Sequence, residues 1–201
     1  MKRIVVLASG RGTNLEAILE AVKSGDIAGE VALVISDQAQ AQALQRAERW
    51  KVKALYINPK DYGSRDQYDQ ALVEQLKQEK IDLVVLAGFM RLLRPLFIRA
   101  FPLQIMNIHP SLLPAFPGLN GVGDALNYGV KVTGCTVHFV DEGLDSGPVI
   151  LQEAVPVIQE DTAETLHQRI HASEYRLYPT AIDLFCREKL KVEGRRCMII
   201  D

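Results

Sequence analysis

The chain opens with a continuous apolar run, "RIVVLA" at residues 3–8, and further runs of the same kind follow at 31–35, 53–57 and 81–87. Stretches with helical character lie between them. Leu15, Ile18, Leu19 and Val22 recur at three- and four-residue steps across 14–22, and Tyr68, Leu72 and Leu76 do the same across 65–78. The segment 40–50 is rich in alanine and glutamine, which favour helix. Strands that are apolar at every position bury both faces, and the intervening helices supply the cover. The pattern predicts an α/β fold: a doubly wound, mostly parallel sheet flanked by helices, with right-handed crossovers.

After Gly88 the rhythm changes. A short helix at 94–100 precedes a strand at 103–108, and "HPSLLPAFPG" then carries too many prolines for a helix. Residues 133–140 alternate in polarity and 148–157 are extended, so the two are expected to pair antiparallel across "DEGLDSG". The C-terminal half therefore adds antiparallel strands to the parallel sheet. "EDTAETLHQRI" opens a last helix, with Asp161 or Thr162 as its cap and a glutamate in its first turn. That helix is expected to run to residue 178, bend at Pro179 and resume to 189. The tail reads as a hairpin turning at Glu193-Gly194. With no repeat or linker, 201 residues fit one domain, whose halves fall at residues 1–100 and 101–201.

Composition narrows the partners. A net charge of −2 leaves no basic footprint, so nucleic acid is not expected. No apolar run approaches the roughly 18 to 20 residues that span a bilayer, so no membrane is expected either. "MKRIVVLASG" has a basic start, but its apolar part is short and leads straight into a glycine-rich turn. It reads as a buried strand rather than a signal peptide. Three cysteines without a C-x-x-C suit structural thiols in a reducing cytoplasm and argue against a zinc knuckle.

Two features carry chemistry. "ASGRGTNL" joins the first strand to the first helix, and its glycines let the backbone approach a ligand. Gly12, Thr13 and Asn14 fall at the helix N-terminus, where unpaired N–H groups and the positive dipole end favour a phosphate. Leu15 stands where a dinucleotide fingerprint has its third glycine, and the lysine of a P-loop is absent, so phosphate binding fits better than dinucleotide binding. The second feature is Asn107-Ile108-His109. Residues two apart on a strand share a face, so Asn107 and His109 project together at the strand's carboxyl end while Ile108 turns to the core. Histidine can move protons near neutral pH, and an asparagine amide can donate to a developing oxyanion. An orienting acid for the histidine is offered by Asp141, Glu142 and Asp145. The residues alone leave these three open, with Asp145 the best placed beside its Ser-Gly turn.

Other residues read more plainly. His167 and His171 are four apart, a metal-ligand spacing, yet with no third ligand nearby they read as a solvated helix face. His138 reads as a packed or half-exposed strand residue. Arg91 and Arg94 flank a partly apolar wall, and their charge could alternatively meet an acidic ligand.

"SGRGTNL", "LAGFMRLL", "NIHPSLLPAFPG", "GCTVHFVDEGLDSGPVI" and "SEYRLYP" stand in the order found in phosphoribosylglycinamide formyltransferases, and the chain resembles that family over essentially its whole length. The resemblance implies a one-carbon transferase of purine synthesis that moves a formyl group from 10-formyltetrahydrofolate, its co-substrate, to the amine of glycinamide ribonucleotide. It implies a cytoplasmic enzyme with no metal, either monomer or homodimer. Carried over by motif, the catalytic trio falls on Asn107, His109 and Asp145, which selects among the three acids. The same resemblance gives Gly12, Thr13 and Asn14 the ribonucleotide phosphate, and Glu174 the ribose hydroxyls. Met90, Arg91, Leu92 and Leu93 line the folate pocket opposite the 141–145 loop, and Arg65 also matches a folate-associated position. The halves become a nucleotide-binding half and a catalytic, folate-binding half.

One segment departs from the family pattern. After Pro117-Gly118 the chain reads "LNGVGDAL", where relatives carry bulkier or more polar residues. Gly121 and Gly123 weaken the helix start expected there, and no substrate contact is assigned to it. Three rival readings stand beside this one. A formyltetrahydrofolate hydrolase shares the trio but uses water as nucleophile and has no need of the phosphate loop or Glu174. A non-catalytic nucleotide-binding module would bind without transfer. A methionyl-tRNA formyltransferase shares "SLLP" but carries an additional RNA-binding domain.

Overall fold

A computed structural model describes residues 1–201, and the chain divides into two compact units, Met1–Met106 and Asn107–Asp201. In the first unit, strands β1 (Lys2–Leu7), β2 (Gly29–Ser36), β3 (Ala54–Tyr56) and β4 (Leu83–Leu86) lie in the order β3-β2-β1-β4. All are parallel, with Ile4 opposite both Val31 and Leu83. Helices α1 (Thr13–Ser24), α2 (Gln42–Arg49) and α3 (Arg65–Gln78) connect them, so each crossover is the helix the apolar spacing predicts. The four residues Ile4, Val5, Val6 and Leu7 are all inaccessible to solvent, as a central parallel strand requires. Leu15 and Ile18 of α1 and Leu72 and Leu76 of α3 are equally buried. Each such side chain contributes about 1.5–3 kcal/mol by leaving water. A short helix α4 (Pro95–Ala100) begins with proline at its first position, where the missing N–H costs nothing.

Strand β5 (Ile105–His109) begins at the end of the first unit and ends in the second. The second unit holds α5 (Gly121–Tyr128), β6 (Val132–Phe139), β7 (Val149–Pro156), α6 (Ala163–Cys186), β8 (Leu190–Glu193) and β9 (Arg196–Ile199). Its strands follow the order β5-β6-β7-β9-β8. β6 and β7 pair antiparallel from Val132↔Pro156 to His138↔Val149, as expected, and β8 and β9 form the terminal hairpin, with Gly194 at positive φ in its turn. The fold is thus α/β, with mostly parallel strands, antiparallel pairs near the C-terminal end and flanking helices.

One expectation changes and one alternative is resolved. Helix α6 is continuous from Ala163 to Cys186 and does not break at Pro179, and it ends three residues short of 189. Pro179 forfeits one backbone hydrogen bond, but Tyr178, Ala181 and Ile182 around it are fully buried and hold the helix against the strands. Between the two candidate caps, Thr162 is the one used: its hydroxyl accepts from the Thr165 N–H, and the Thr165 hydroxyl accepts from the Thr162 N–H. Asp161 instead pairs with Arg169 at 2.6 Å, and that hydrogen-bonded guanidinium holds its carboxyl down at about 2.

Candidate active site

In the first unit, the turn between β1 and α1 is built by close approach. Gly12 caps α1 at φ +70°, in the left-handed region, and a Cβ there would stand 2.8 Å from the Ala43 Cα of α2. Only glycine satisfies both conditions. α2 clasps the turn: the Ala43 N–H donates to the Gly10 carbonyl, and Arg46 Nε donates to the Arg11 carbonyl at 2.8 Å. Gly12 brings no side-chain cap to α1, whose first turn begins at Thr13 and the buried Asn14. Arg46 also pairs with Glu16 in the first turn of α1.

The "FMRLL" segment is tied to the same turn. The Ser9 N–H donates to the Gly88 carbonyl, and the Ser9 hydroxyl accepts from the Met90 N–H at 2.9 Å. Met90 and Leu92 are then 68% and 71% exposed, large apolar side chains presented to solvent with no regular structure around them. Arg91 lies over the Tyr68 ring, 5.0 Å from its centroid, while Arg94 pairs with Asp66. Of the two arginines expected beside an apolar wall, both therefore have protein partners. Arg65 starts α3 on the surface, with Ser64 as the cap.

The polar pair lies in the second unit, and the structure gathers a cluster around it. His109 is 4% exposed; its Nε2 donates to the Phe116 carbonyl at 2.8 Å and its Nδ1 faces Asp145 Oδ2 at 3.5 Å. A carbonyl oxygen can only accept, so the Nε2 carries a proton in this contact. A second proton on Nδ1 would be paired with the carboxylate. Asp145 is held in turn: its Oδ2 accepts from the Gly118 N–H at 2.8 Å, and its backbone sits at φ +48°, an uncommon conformation for aspartate. Asp141 is occupied within its own loop, accepting from the Gly143 N–H and the Ser146 hydroxyl. Of these two aspartates, Asp145 is the one facing the histidine.

Gly121 explains part of the departure in "LNGVGDAL". A Cβ at that position would stand 3.1 Å from His109 Nε2 and 3.2 Å from the Phe116 carbonyl. The glycine lets the start of α5 pack directly over the histidine.

His138 is the member that sequence reasoning missed. It is packed, as one reading of the strand allowed, but it also belongs to the polar cluster: its Nε2 is 3.4 Å from Asn107 Nδ2 and 3.8 Å from Asp145 Oδ1. Burial pushes its pKa below the usual imidazole value, against the opposing pull of its hydrogen bond to the Phe139 carbonyl and of Asp145. Its place on the same alternating face as Thr136 was the available signal. His171 also differs from expectation, since it is not simply solvated. Its Nδ1 lies 2.7 Å from Glu174 Oε2, and its ring stacks between His167 and Tyr175. Glu174 itself is 3% exposed.

A histidine, a carboxylate and an amide gathered near a strand's carboxyl end are groups that can move protons and stabilise a developing oxyanion. The chain matches the Formyl transferase family over residues 2–182, and it belongs to that family. It is 45% identical to phosphoribosylglycinamide formyltransferase of Bacillus subtilis (strain 168), across 90% of this chain and 93% of that protein. The crystal structure of glycinamide ribonucleotide transformylase 1 from Symbiobacterium toebii superposes with a TM-score of 0.99 at 57% identity, covering 100% of this chain and 95% of that one. The trifunctional purine biosynthetic protein adenosine-3 of Drosophila melanogaster is 46% identical over 90% of this chain, which spans 14% of that longer protein.

Proposed function

We propose that this formyltransferase moves a formyl group from 10-formyltetrahydrofolate to the amine of glycinamide ribonucleotide, a step of purine biosynthesis, and that its two units act as one cytoplasmic formyltransferase domain. The observation that carries the reading is the convergence of Asn107, His109 and Asp145 in a chain of this family.

The amine attacks the formyl carbon, a new C–N bond forms, and the formyl oxygen gains negative charge. Asn107 donates an amide N–H to that oxygen, and His109 donates from Nε2 once the oxygen replaces the Phe116 carbonyl as its acceptor. Asp145, facing Nδ1, stabilises the imidazolium and takes, through water, the proton the amine loses. Collapse then breaks the bond to the folate nitrogen, which leaves with a proton. Gly12, Thr13 and Asn14 hold the ribonucleotide phosphate, supported by the glycine that opens the N-terminus of α1. Glu174 accepts from the ribose hydroxyls. Met90, Arg91, Leu92, Leu93 and Arg65 serve the folate, supported by the exposure of Met90 and Leu92, which a bound ring system would cover.

The test is to mix purified protein with the folate donor and follow deformylated folate. Release that requires glycinamide ribonucleotide supports the reading. Release without it points to a hydrolase, and no release in either case to a binding module.

A further inference from the structure

We propose that His138 is a positioning residue that fixes the rotation of the Asn107 amide, turning its nitrogen toward the imidazole and leaving its second N–H as the donor for the formyl oxygen. The proposal rests on the reading of Asn107 as an oxyanion donor.

An asparagine amide can sit in two orientations related by a half-turn, and only one presents an N–H to an oxyanion. Something must choose between them. The choice here follows from a chain of contacts that begins at the backbone. His138 Nδ1 lies 2.9 Å from the Phe139 carbonyl, which can only accept, so Nδ1 carries the proton and donates. In the neutral ring, Nε2 is then a lone pair. Asn107 Nδ2, at 3.4 Å, is a donor that can meet it, whereas the amide oxygen turned that way would set two lone pairs face to face.

Asp145 Oδ1, 3.8 Å from the same Nε2, is too far for a hydrogen bond and leaves Asn107 as the partner within reach. The charged groups around the ring are Asp145, Asp141 and His109, and burial outweighs the two acids in keeping it neutral. The arrangement is rigid, because His138 is 2% exposed and pairs with Val149 just past a register shift near the end of β6. An imidazole that cannot turn sets the rotation of the amide before substrate arrives, which is what a preorganised oxyanion donor requires.

The test is a double-mutant cycle on formyl transfer, using His138→Leu, His138→Gln, Asn107→Ala and the pair His138→Leu with Asn107→Ala. Leucine cannot accept the amide N–H, so kcat falls roughly tenfold or more, short of the roughly 10²–10³ for outright loss of an oxyanion donor. Both KM values stay within about twofold of wild type, since ground-state binding is untouched. Glutamine offers an amide oxygen in place of Nε2 and recovers most of the rate. On the Asn107→Ala background, His138→Leu costs less than about twofold more, because nothing remains to position.

A full additive loss in the pair, or a wild-type rate for His138→Leu, overturns the proposal. A wild-type rate for Asn107→Ala shows instead that the oxyanion reading has failed, and the positioning role falls with it. Nitrogen-15 NMR of the labelled wild-type protein reads the tautomer whether or not the variants fold. A bare Nε2 with a protonated Nδ1 is expected for His138, and a protonated Nε2 contradicts the proposal.

Discussion

His109 and Asp145 face each other at 3.5 Å, and one short loop holds both: the Phe116 carbonyl accepts from His109 Nε2, and the Gly118 N–H donates to Asp145 Oδ2. The loop that closes the proline-rich segment therefore sets the geometry of this pair. It presets the histidine tautomer and the direction of the carboxylate together. Phe116 and Gly118 in that loop, and Asp145 in the connection between β6 and β7, all adopt positive φ. Backbone strain of this kind persists where surrounding contacts over-determine it.

The first prediction concerns that pair. His109→Ala and Asp145→Asn should each lower kcat by roughly 10²–10³, with KM changed far less. The double variant should lose much less than the product of the two, because the residues act as a unit. Steady-state kinetics of the three variants checks this.

Gly121→Ala should separate activity from stability. Its Cβ would lie 3.1 Å from His109 Nε2, so the ring or the start of α5 must shift. At the first position of α5 alanine gains only part of the roughly 1 kcal/mol by which it exceeds glycine in a helix interior. kcat should fall roughly tenfold, because small misplacements are costly in rate. The thermal midpoint, read by calorimetry, should stay close to the wild-type value.

Gly12→Ala should do the reverse in the first unit. The added methyl meets Ala43 at a left-handed backbone position, and strain with overpacking costs about 1–3 kcal/mol. Urea denaturation should show a lower midpoint with an unchanged slope. KM for glycinamide ribonucleotide should rise as the turn distorts.

The buried imidazole of His138 gives a pH signature in stability. Burial lowers its folded pKa below the usual 6.5, so the unfolded chain takes up the proton first as pH falls. Stability from this group is complete above 6.5 and is lost as pH drops through that value toward the folded pKa. Comparing unfolding free energies of wild type and His138→Gln between neutral and mildly acidic pH should show this slope in wild type only.

Much of the fold was legible because its signals are local. Runs such as "RIVVLA" and "LVVL" can be satisfied only by burial on both faces, and β1 and β4 are buried as those runs require. The Asn107-x-His109 pair was legible for the same reason, since strand geometry alone puts both on one face. The acid was harder. The residues favoured Asp145 for its Ser-Gly turn without excluding Asp141 or Glu142, and what separates the two aspartates is the Asp141 turn, with Ser146 and Gly143 bonded to its carboxylate. His138 was harder to read, because the strand pattern gives it a face shared with Thr136 without saying what else meets that face. The continuity of α6 through Pro179 was also hidden, since tertiary packing around Tyr178 and Ile182 overrides the local preference to break.

The central claim is tested most directly by following the formyl carbon itself. The donor is prepared with carbon-13 in its formyl group and incubated with the protein and glycinamide ribonucleotide, and the products are read by mass spectrometry. The account predicts the label on the ribonucleotide amine, in equal amount to the deformylated folate formed. Label recovered as free formate, or left on the folate, would contradict it.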